Sequence, residues 1–368
     1  MNYRTIPGTD LTVSLLGFGN FVFGTNWWGD FTDAQAVCLQ NQAVDLGVNF
    51  FDTAPAYGNG RAESLLQPTI EYAGRERLVI STKFGYDFQA DPGESGSHRE
   101  RKQDFSPAFI RAELERSLKR MAIECIDLYQ AHNIKLSHFR DELFAELDKL
   151  VDAGKIRAWG VALGPAIGWR EEGHEAMLGR QAATVQTVFN LYEQDPGREL
   201  CRIAAAEPAS GNANCCGAVI ARVPTNSGIL DDEFASADHR FEDRDHRKFR
   251  DRDWLVYGLE KNRIVLPMAE SLGLSLRQFA MRWLASWPGL VSIEPNLLKP
   301  QDLVELSAAC DGSVLSPTLM AELGRLYEND FGLGPVAHPC DLKSSTADSG
   351  AERSGYKAPD FDRLPSVT

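Results

Sequence analysis

Four residue types that do acid–base chemistry together stand at corresponding places along this chain. Asp52 ends an apolar run, Val48-Asn49-Phe50-Phe51-Asp52, and Tyr57 follows it in the Pro/Gly-punctuated stretch Thr53-Ala54-Pro55-Ala56-Tyr57-Gly58-Asn59-Gly60. Lys83 ends the run Leu78-Val79-Ile80-Ser81-Thr82-Lys83, and His132 ends Ile126-Asp127-Leu128-Tyr129-Gln130-Ala131-His132. Each run has the β-prone, continuously apolar character of a buried strand. An ionisable group at or just past the carboxyl end of several strands is the layout of an active site on a parallel α/β sheet. A free phenol, with a pKa of about 10, is a poor acid at neutral pH. A neighbouring ammonium favours the phenolate, and a carboxylate can hold that ammonium charged and in place. A histidine beside the phenol can donate a second hydrogen bond to a developing oxyanion.

The elements needed to position these groups can be read along the chain. Residues 3 to 14 predict a hairpin around Pro7-Gly8-Thr9-Asp10. Strands are expected at 15–19, 49–53, 78–83, 126–132, 156–162, 184–189, 217–223 and 290–294. Helices are expected at 33–46, 60–73, 107–121, 138–153, 169–179, 197–206, 255–272 with 275–287, and 301–309. Eight β/α units about thirty residues apart imply a parallel sheet with helices outside, and eight such units close into a (β/α)8 TIM barrel. An open doubly wound sheet is the alternative. Thr32 or Asp33 can cap the first long helix and Gly47 can end it. Ser106-Pro107 gives a cap followed by proline at the first helical position. Long loops follow the third strand, 86–105, and the seventh, 224–254. The charged part of the second, Asp238 to Asp253, reads as a solvated face. His239 and His246 there have no metal-ligand spacing and read as surface. Residues 1–330 are expected to form the barrel and 331–368 a C-terminal tail, whose stretch Lys343–Gly355 has the Ser/Gly/charge composition of a mobile segment.

Composition removes several functions. The 368 residues are 43% hydrophobic and 24% charged, with a net charge of −14. That charge disfavours nucleic acid or an anionic membrane as partner. There is no run long enough to span a bilayer and no apolar segment at the start, so a cytoplasmic protein is expected. The seven cysteines are scattered, with only Cys215 and Cys216 adjacent, and are read as reduced thiols with no metal site.

Four separated motifs, in order, resemble the aldo-keto reductase family over residues 3 to 330. They are Gly47–Ala54 with Tyr57-Gly58-Asn59-Gly60 and Glu63; Ser81-Thr82-Lys83; Asp127–His132; and Gly154–Val161. The resemblance implies a TIM barrel that reduces carbonyls with a nicotinamide cofactor and no metal. It places the catalytic tetrad on Asp52, Tyr57, Lys83 and His132. Gly17-Phe18-Gly19 is not a dinucleotide fingerprint, because residue 22 is Val. In this fold the first-strand loop lies over the nicotinamide, which makes Gly19, Asn20 and Phe21 cofactor candidates. Trp27 and Trp28, in the same loop, are expected to wall the substrate pocket.

The expected cofactor contacts depart from the family pattern at several points. Ala162 and Leu163 stand where many members carry Ser-Asn for the nicotinamide carboxamide. Gln186 matches, and Asn190 lies just beyond it. Arg222 replaces a stacking aromatic and can stack by its planar guanidinium. In the last segment, Ile293-Glu294-Pro295-Asn296-Leu297-Leu298-Lys299-Pro300-Gln301-Asp302, Asp302 replaces the arginine that meets the 2′-phosphate, and Leu306 replaces an asparagine. A carboxylate there repels a phosphate and accepts from a ribose hydroxyl, which favours NADH; the resemblance itself implies NADPH, and Lys299 keeps it open. Asn296, Lys299 and Asp302 are accordingly cofactor candidates. The leading expectation is an NAD(P)-dependent oxidoreductase acting on a small carbonyl or alcohol, sugar-like or otherwise hydroxylated. The alternatives are a cofactor-independent lyase or isomerase using Tyr57 and Lys83, and a non-catalytic nucleotide sensor. A homo-oligomer is left open.

Overall fold

The computed structural model describes residues 1–90, 101–164, 167–206 and 217–338. The chain begins with an antiparallel hairpin of β1 (Tyr3–Thr5) and β2 (Thr12–Ser14). Eight parallel strands then neighbour one another in chain order: β3 (Phe18–Gly19), β4 (Phe50–Asp52), β5 (Val79–Phe84), β6 (Ile126–His132), β7 (Ile156–Ala162), β8 (Thr184–Val188), β9 (Ala218–Arg222) and β10 (Leu290–Glu294). The two edges meet, because the Gly17 N–H donates to the Ile293 carbonyl at 2.9 Å and the Ile293 N–H to the Leu15 carbonyl at 2.8 Å. The sheet is therefore a barrel, as eight β/α units implied.

The helices outside it are α1 (Phe21–Gly24), α2 (Asp33–Asp45), α3 (Arg61–Ser64), α4 (Gln67–Ala73), α5 (Pro107–Met121), α6 (Asp141–Asp152), α7 (Arg170–His174), α8 (Gly197–Ala205), α9 (Arg252–Ser271), α10 (Leu276–Ala285), α11 (Pro300–Ala309) and α12 (Pro317–Glu328). Their ends follow local chemistry. Thr32 caps α2 in a capping box with Gln35, Ser106 accepts the Phe109 N–H at the start of α5, and Ser275 with Gln278 forms a second capping box on α10. α5 buries Ile110, Leu114, Leu118 and Met121 at helical spacing against the sheet.

Several elements differ from the sequence reading, among them the short α1, which lies outside the expected helices. The helix expected over 60–73 is broken into α3 and α4, because Pro68 has no N–H to bond back to Ser64. The helix expected over 169–179 is α-helical only to His174 and then opens into a wider turn. α12, with Ser316 as its cap and Pro317 as its first residue, was not expected at all.

The hairpin decides which end of the barrel is available. Ile6, Leu11 and Val13 pack with Phe50, Val79, Leu128, Ala158, Ala218, Ile220 and Val291 in one buried cluster inside the barrel. These side chains plug the end at which the strands begin and leave the carboxyl ends open. Arg4 fastens the plug by donating to the Ala285, Trp287 and Leu290 carbonyls, between the last residue of α10 and the first of β10. Cys38, Cys125, Cys201 and Cys310 are free thiols; Cys215, Cys216, Cys340 and the tail beyond His338 lie outside the described residues. Among the described residues no helix is long and apolar enough to cross a membrane. Replacing Arg4 by Ala is expected to lower stability by about 2 kcal/mol without altering the open end. Urea unfolding should show this as a lower midpoint at unchanged slope.

Candidate active site

The rim of the open end brings together the four acid–base residues. β4 delivers Asp52, β5 delivers Lys83 and β6 delivers His132, while Tyr57 stands in the loop after β4. The Asp52 carboxylate pairs with the Lys83 ammonium, and their side chains are only 5% and 1% exposed. A buried ion pair needs further hydrogen bonds to be tolerated. They are present: Asp52 Oδ1 accepts from Ser81 Oγ at 2.7 Å and Gln130 Nε2 at 3.3 Å, and Lys83 Nζ donates to the Thr53 carbonyl at 2.9 Å. Lys83 Nζ lies 5.2 Å from the centroid of the Tyr57 ring. The His132 ring meets Tyr57 edge-on at 5.7 Å and an interplanar angle of 85°.

The electrostatics assign a protonation state to each group. Burial works against the charge on Lys83, but Asp52, Tyr57 and Glu294 together outweigh it and keep the lysine charged. Burial pushes the Tyr57 phenol above its ordinary value; Lys83 pulls it down, and Asp52 pushes it up again. The lysine effect has the expected sign, but burial outweighs it. Tyr57 is thus a protonated donor at neutral pH. Burial, and then the charges of Lys83 and Arg222, hold His132 well below its usual pKa, so its imidazole is neutral.

Packing fixes the tyrosine. Gly24, at the end of α1, lies so close that a Cβ there would sit 2.6 Å from Tyr57 Cβ. Phe21 meets the other edge of the ring at 5.0 Å. Sequence reasoning missed Gly24, since a glycine needed for close approach leaves no periodic signal.

Across the mouth from β4, β5 and β6, three adjacent strands carry a second polar wall: Gln186 on β8, Arg222 on β9 and Glu294 on β10. Gln186 Nε2 donates to Glu294 Oε2 at 2.9 Å, and Arg222 donates to the carbonyls of Leu163 and Gly164. Both walls face one cavity of about 1280 Å³, larger than the roughly 300–1,000 Å³ common for a single drug-sized ligand.

The other expected site residues divide. Gly19, Phe21, Asn296, Trp27 and Trp28 line the cavity, and Gly19 has open space where a side chain would begin. Asn20 does not. It is fully buried, with its amide donating to the Asp52 carbonyl at 3.0 Å and its oxygen accepting from Gln40 at 2.7 Å, so it braces the rim from behind. Asn190 is likewise a buried brace, holding the Glu193 carboxylate and the Val223 carbonyl. Lys299 is exposed and does not line the cavity. Nor does Asp302, which is 4% exposed and accepts from the Leu298 and Lys299 amides and from Arg277 at 3.0, 3.1 and 2.9 Å.

The charged segment after β9 is not simply a solvated face. Arg247 is 6% exposed, ion-paired to Asp245 and Glu233 at 2.7 Å each, and lies against the ring of Trp28. His246 is a cavity residue stacked on Trp27 at 4.9 Å. His239, by contrast, is exposed as expected. Local sequence showed only mixed charge; the aromatic partners come from Trp27, Trp28, Phe234 and Phe241. Among the described residues no group of three or more His, Cys, Asp or Glu side chains could hold a metal ion.

A family model for the aldo/keto reductase family matches residues 15–328. The chain belongs to that family. Membership makes it an NAD(P)-dependent oxidoreductase built on a (β/α)8 barrel. It is 26% identical over 341 residues to aldo-keto reductase YhdN of Bacillus subtilis, covering 91% of this chain and 97% of that one. It is 27% identical over 322 residues to a probable voltage-gated potassium channel subunit beta of Oryza sativa, covering 84% and 92%. Among solved structures it resembles the glycerol dehydrogenase of Gluconobacter oxydans, with a TM-score of 0.71, 26% identity, and 93% and 98% of the two chains covered.

The neutrality of His132 in this aldo/keto reductase can be measured directly. Its ring nitrogens, followed by NMR in the ligand-free protein, are expected to show no titration between pH 8 and 6. A midpoint near the ordinary value of about 6.5 would contradict the site's electrostatics.

Proposed function

We propose that this aldo/keto reductase interconverts the carbonyl and alcohol of a small polyol- or sugar-like substrate, with Tyr57 as the acid in reduction and the base in oxidation. The observation that carries the reading is Tyr57 placed on the cavity wall with the Lys83 ammonium 5.2 Å from its ring and the His132 ring edge-on at 5.7 Å, where burial favours a protonated phenol and a neutral imidazole. The nicotinamide cofactor supplies or accepts the hydride. The residues present suit it, since the cavity is large enough for two ligands and Gly19 on its wall leaves open space where a side chain would begin.

Each side chain then has a task. Tyr57 gives its proton to the substrate oxygen as negative charge develops there. Lys83 stabilises the phenolate left behind, and Asp52 keeps Lys83 charged and aimed. The neutral imidazole of His132 donates its N–H to the same oxygen and sets its approach. The cavity wall includes Asn26, Asn59, Asn133 and Ser227 as well as the indoles of Trp27 and Trp28. Amides and hydroxyls beside flat apolar faces suit a hydroxylated carbon chain, and the likeness to a glycerol dehydrogenase supports the same class. The cofactor-independent lyase or isomerase is not carried forward, because the family shown is one of oxidoreductases.

We further propose NADH as the preferred reductant. Arg277, ion-paired to Asp302 at 2.9 Å, is already shared with Asp231 at 3.3 Å and Glu305 at 3.3 Å. Three carboxylates around one guanidinium leave a negative field, which repels a 2′-phosphate and tolerates a ribose hydroxyl.

Replacing Tyr57 by Phe is expected to reduce carbonyl turnover by about 10²- to 10⁴-fold. Calorimetric titration should give NADH affinity within twofold of wild type, and tighter binding of NADH than NADPH in both proteins. Unchanged turnover would remove Tyr57 from the mechanism, and tighter NADPH would remove the argument from Asp302.

A further inference from the structure

We propose that Glu63 is a positioning residue for proton transfer, registering the Tyr57 loop against the strand that carries Lys83. The inference rests on the role given to Tyr57 above and goes beyond it. Glu63 is fully buried on α3 and does not line the cavity. Its Oε1 accepts from Thr82 Oγ1 at 2.6 Å, and its Oε2 accepts from Arg120 Nε on α5. Arg120 also donates to Ser117 Oγ at 3.1 Å and to the buried carboxylate of Glu113. A buried carboxylate with both oxygens engaged, one of them by a cation that is itself held, has little freedom to shift.

Strand geometry says what that fixed place governs. Thr82 and Lys83 are neighbours on β5, so their side chains leave opposite faces of the sheet. Thr82 reaches outward to Glu63, and Lys83 reaches inward to Asp52. On the other side, α3 is a single turn of four residues, too short to persist without tertiary contacts. It is bonded directly to the loop before it. The Ala62 N–H donates to the Tyr57 carbonyl at 3.2 Å, and the Gly60 N–H to the Pro55 carbonyl at 2.7 Å. Gly60 has a φ of +94°, and a Cβ there would lie 2.8 Å from Arg120 Cδ, so the loop is pressed on the same side chain that Glu63 binds. Glu63 thus links the Tyr57 loop, through α3, to Thr82 and so to the residue after it, Lys83. Of the charged groups acting on Tyr57, namely Lys83, Asp52, Arg222 and Glu294, Lys83 alone lies on the strand that Glu63 holds. A shift of β5 against the loop therefore acts first on the lysine's pull on the phenol.

The test follows alcohol oxidation by the full chain, with glycerol as the alcohol and NAD⁺ and NADP⁺ each as oxidant. Tyr57 must ionise to act as base, so the rate rises with pH. Glu63→Ala is expected to lower kcat by about 10- to 100-fold. It should also move the rising limb up by about one pH unit, since a more distant ammonium lowers the phenol's pKa less. Thr82→Val, which exchanges one hydroxyl for a methyl, should reproduce both effects, and carries the test if Glu63→Ala does not fold. Thr82→Ser restores the hydroxyl and should return kcat to within about twofold of wild type. A Glu63 that only stabilises the fold would lower the urea midpoint and leave kcat per folded enzyme and the limb unchanged; that result overturns the proposal. So does a lower kcat with an unmoved limb, or Thr82→Ser behaving as Thr82→Val does. Should wild type not oxidise glycerol, the limb is read instead from the ring-carbon NMR resonance of Tyr57, identified by its loss in Tyr57→Phe, with the same two outcomes. Wild-type turnover in Tyr57→Phe would sink the role of Tyr57 and this proposal together, whereas its collapse beside an unchanged Glu63→Ala sinks this proposal alone.

Discussion

Inside the mouth of the barrel an aspartate and a lysine sit almost fully shielded from water, and the rest of the site depends on that pair. Each ion would cost several kcal/mol to bury alone. The cost is offset by a shell that has little freedom to change: Ser81 and Gln130 on Asp52, the Thr53 carbonyl on Lys83, and Asn20 bracing the Asp52 backbone from behind. The pair acts on its surroundings in turn. Its ammonium adds to burial in keeping His132 neutral and is placed to stabilise a phenolate at Tyr57. The charged lysine, the protonated tyrosine and the neutral histidine are therefore one arrangement, set by burial as much as by charge.

Much of this was legible in the sequence because it depends on strand ends. A strand that closes with Asp52, Lys83 or His132 fixes where that side chain emerges, and the β/α alternation fixes that all emerge at one end. The hairpin, the Ser106-Pro107 start of α5 and the capped start of α10 were equally local signals. What escaped was decided by contacts between distant segments. Mixed charge from Asp238 to Asp253 looks like surface until Trp28, Phe234 and Phe241 surround Arg247. Asp302 looks like a ribose ligand until its oxygens are found starting α11 and holding Arg277. Asn20 looks like a cofactor contact until Gln40 and the Asp52 carbonyl consume its amide. In each case a polar residue type was compatible with both roles, and at least one partner that decided, Trp28 for Arg247, Arg277 for Asp302 and the Asp52 carbonyl for Asn20, lay far away in the chain.

The two walls of the mouth bear different constraints. The wall of β4, β5 and β6 carries the acid–base groups and matches the family's motifs closely. The wall of β8, β9 and β10, with the segment after it, departs from them at Arg222, Asp302 and Leu306. Proton transfer to a carbonyl oxygen is sensitive to small displacements, so the first wall has little room to vary. Ring contacts on the second can be made by other residues, provided buried polar atoms find partners. The loops after β3 and β9 supply Trp27, Trp28 and His246 to the cavity wall.

The most direct test of hydride transfer at this site is isotopic. The protein would be incubated with NADH deuterated on either face of the ring at C4 and with a small hydroxyaldehyde, and the alcohol formed analysed by mass spectrometry. Hydride transfer predicts that one of the two labelled cofactors places a single deuterium on the former carbonyl carbon, in step with its oxidation. Alcohol formed without deuterium from either cofactor would show that the reaction does not run through the nicotinamide, and would contradict the chemistry assigned to Tyr57, Lys83 and His132.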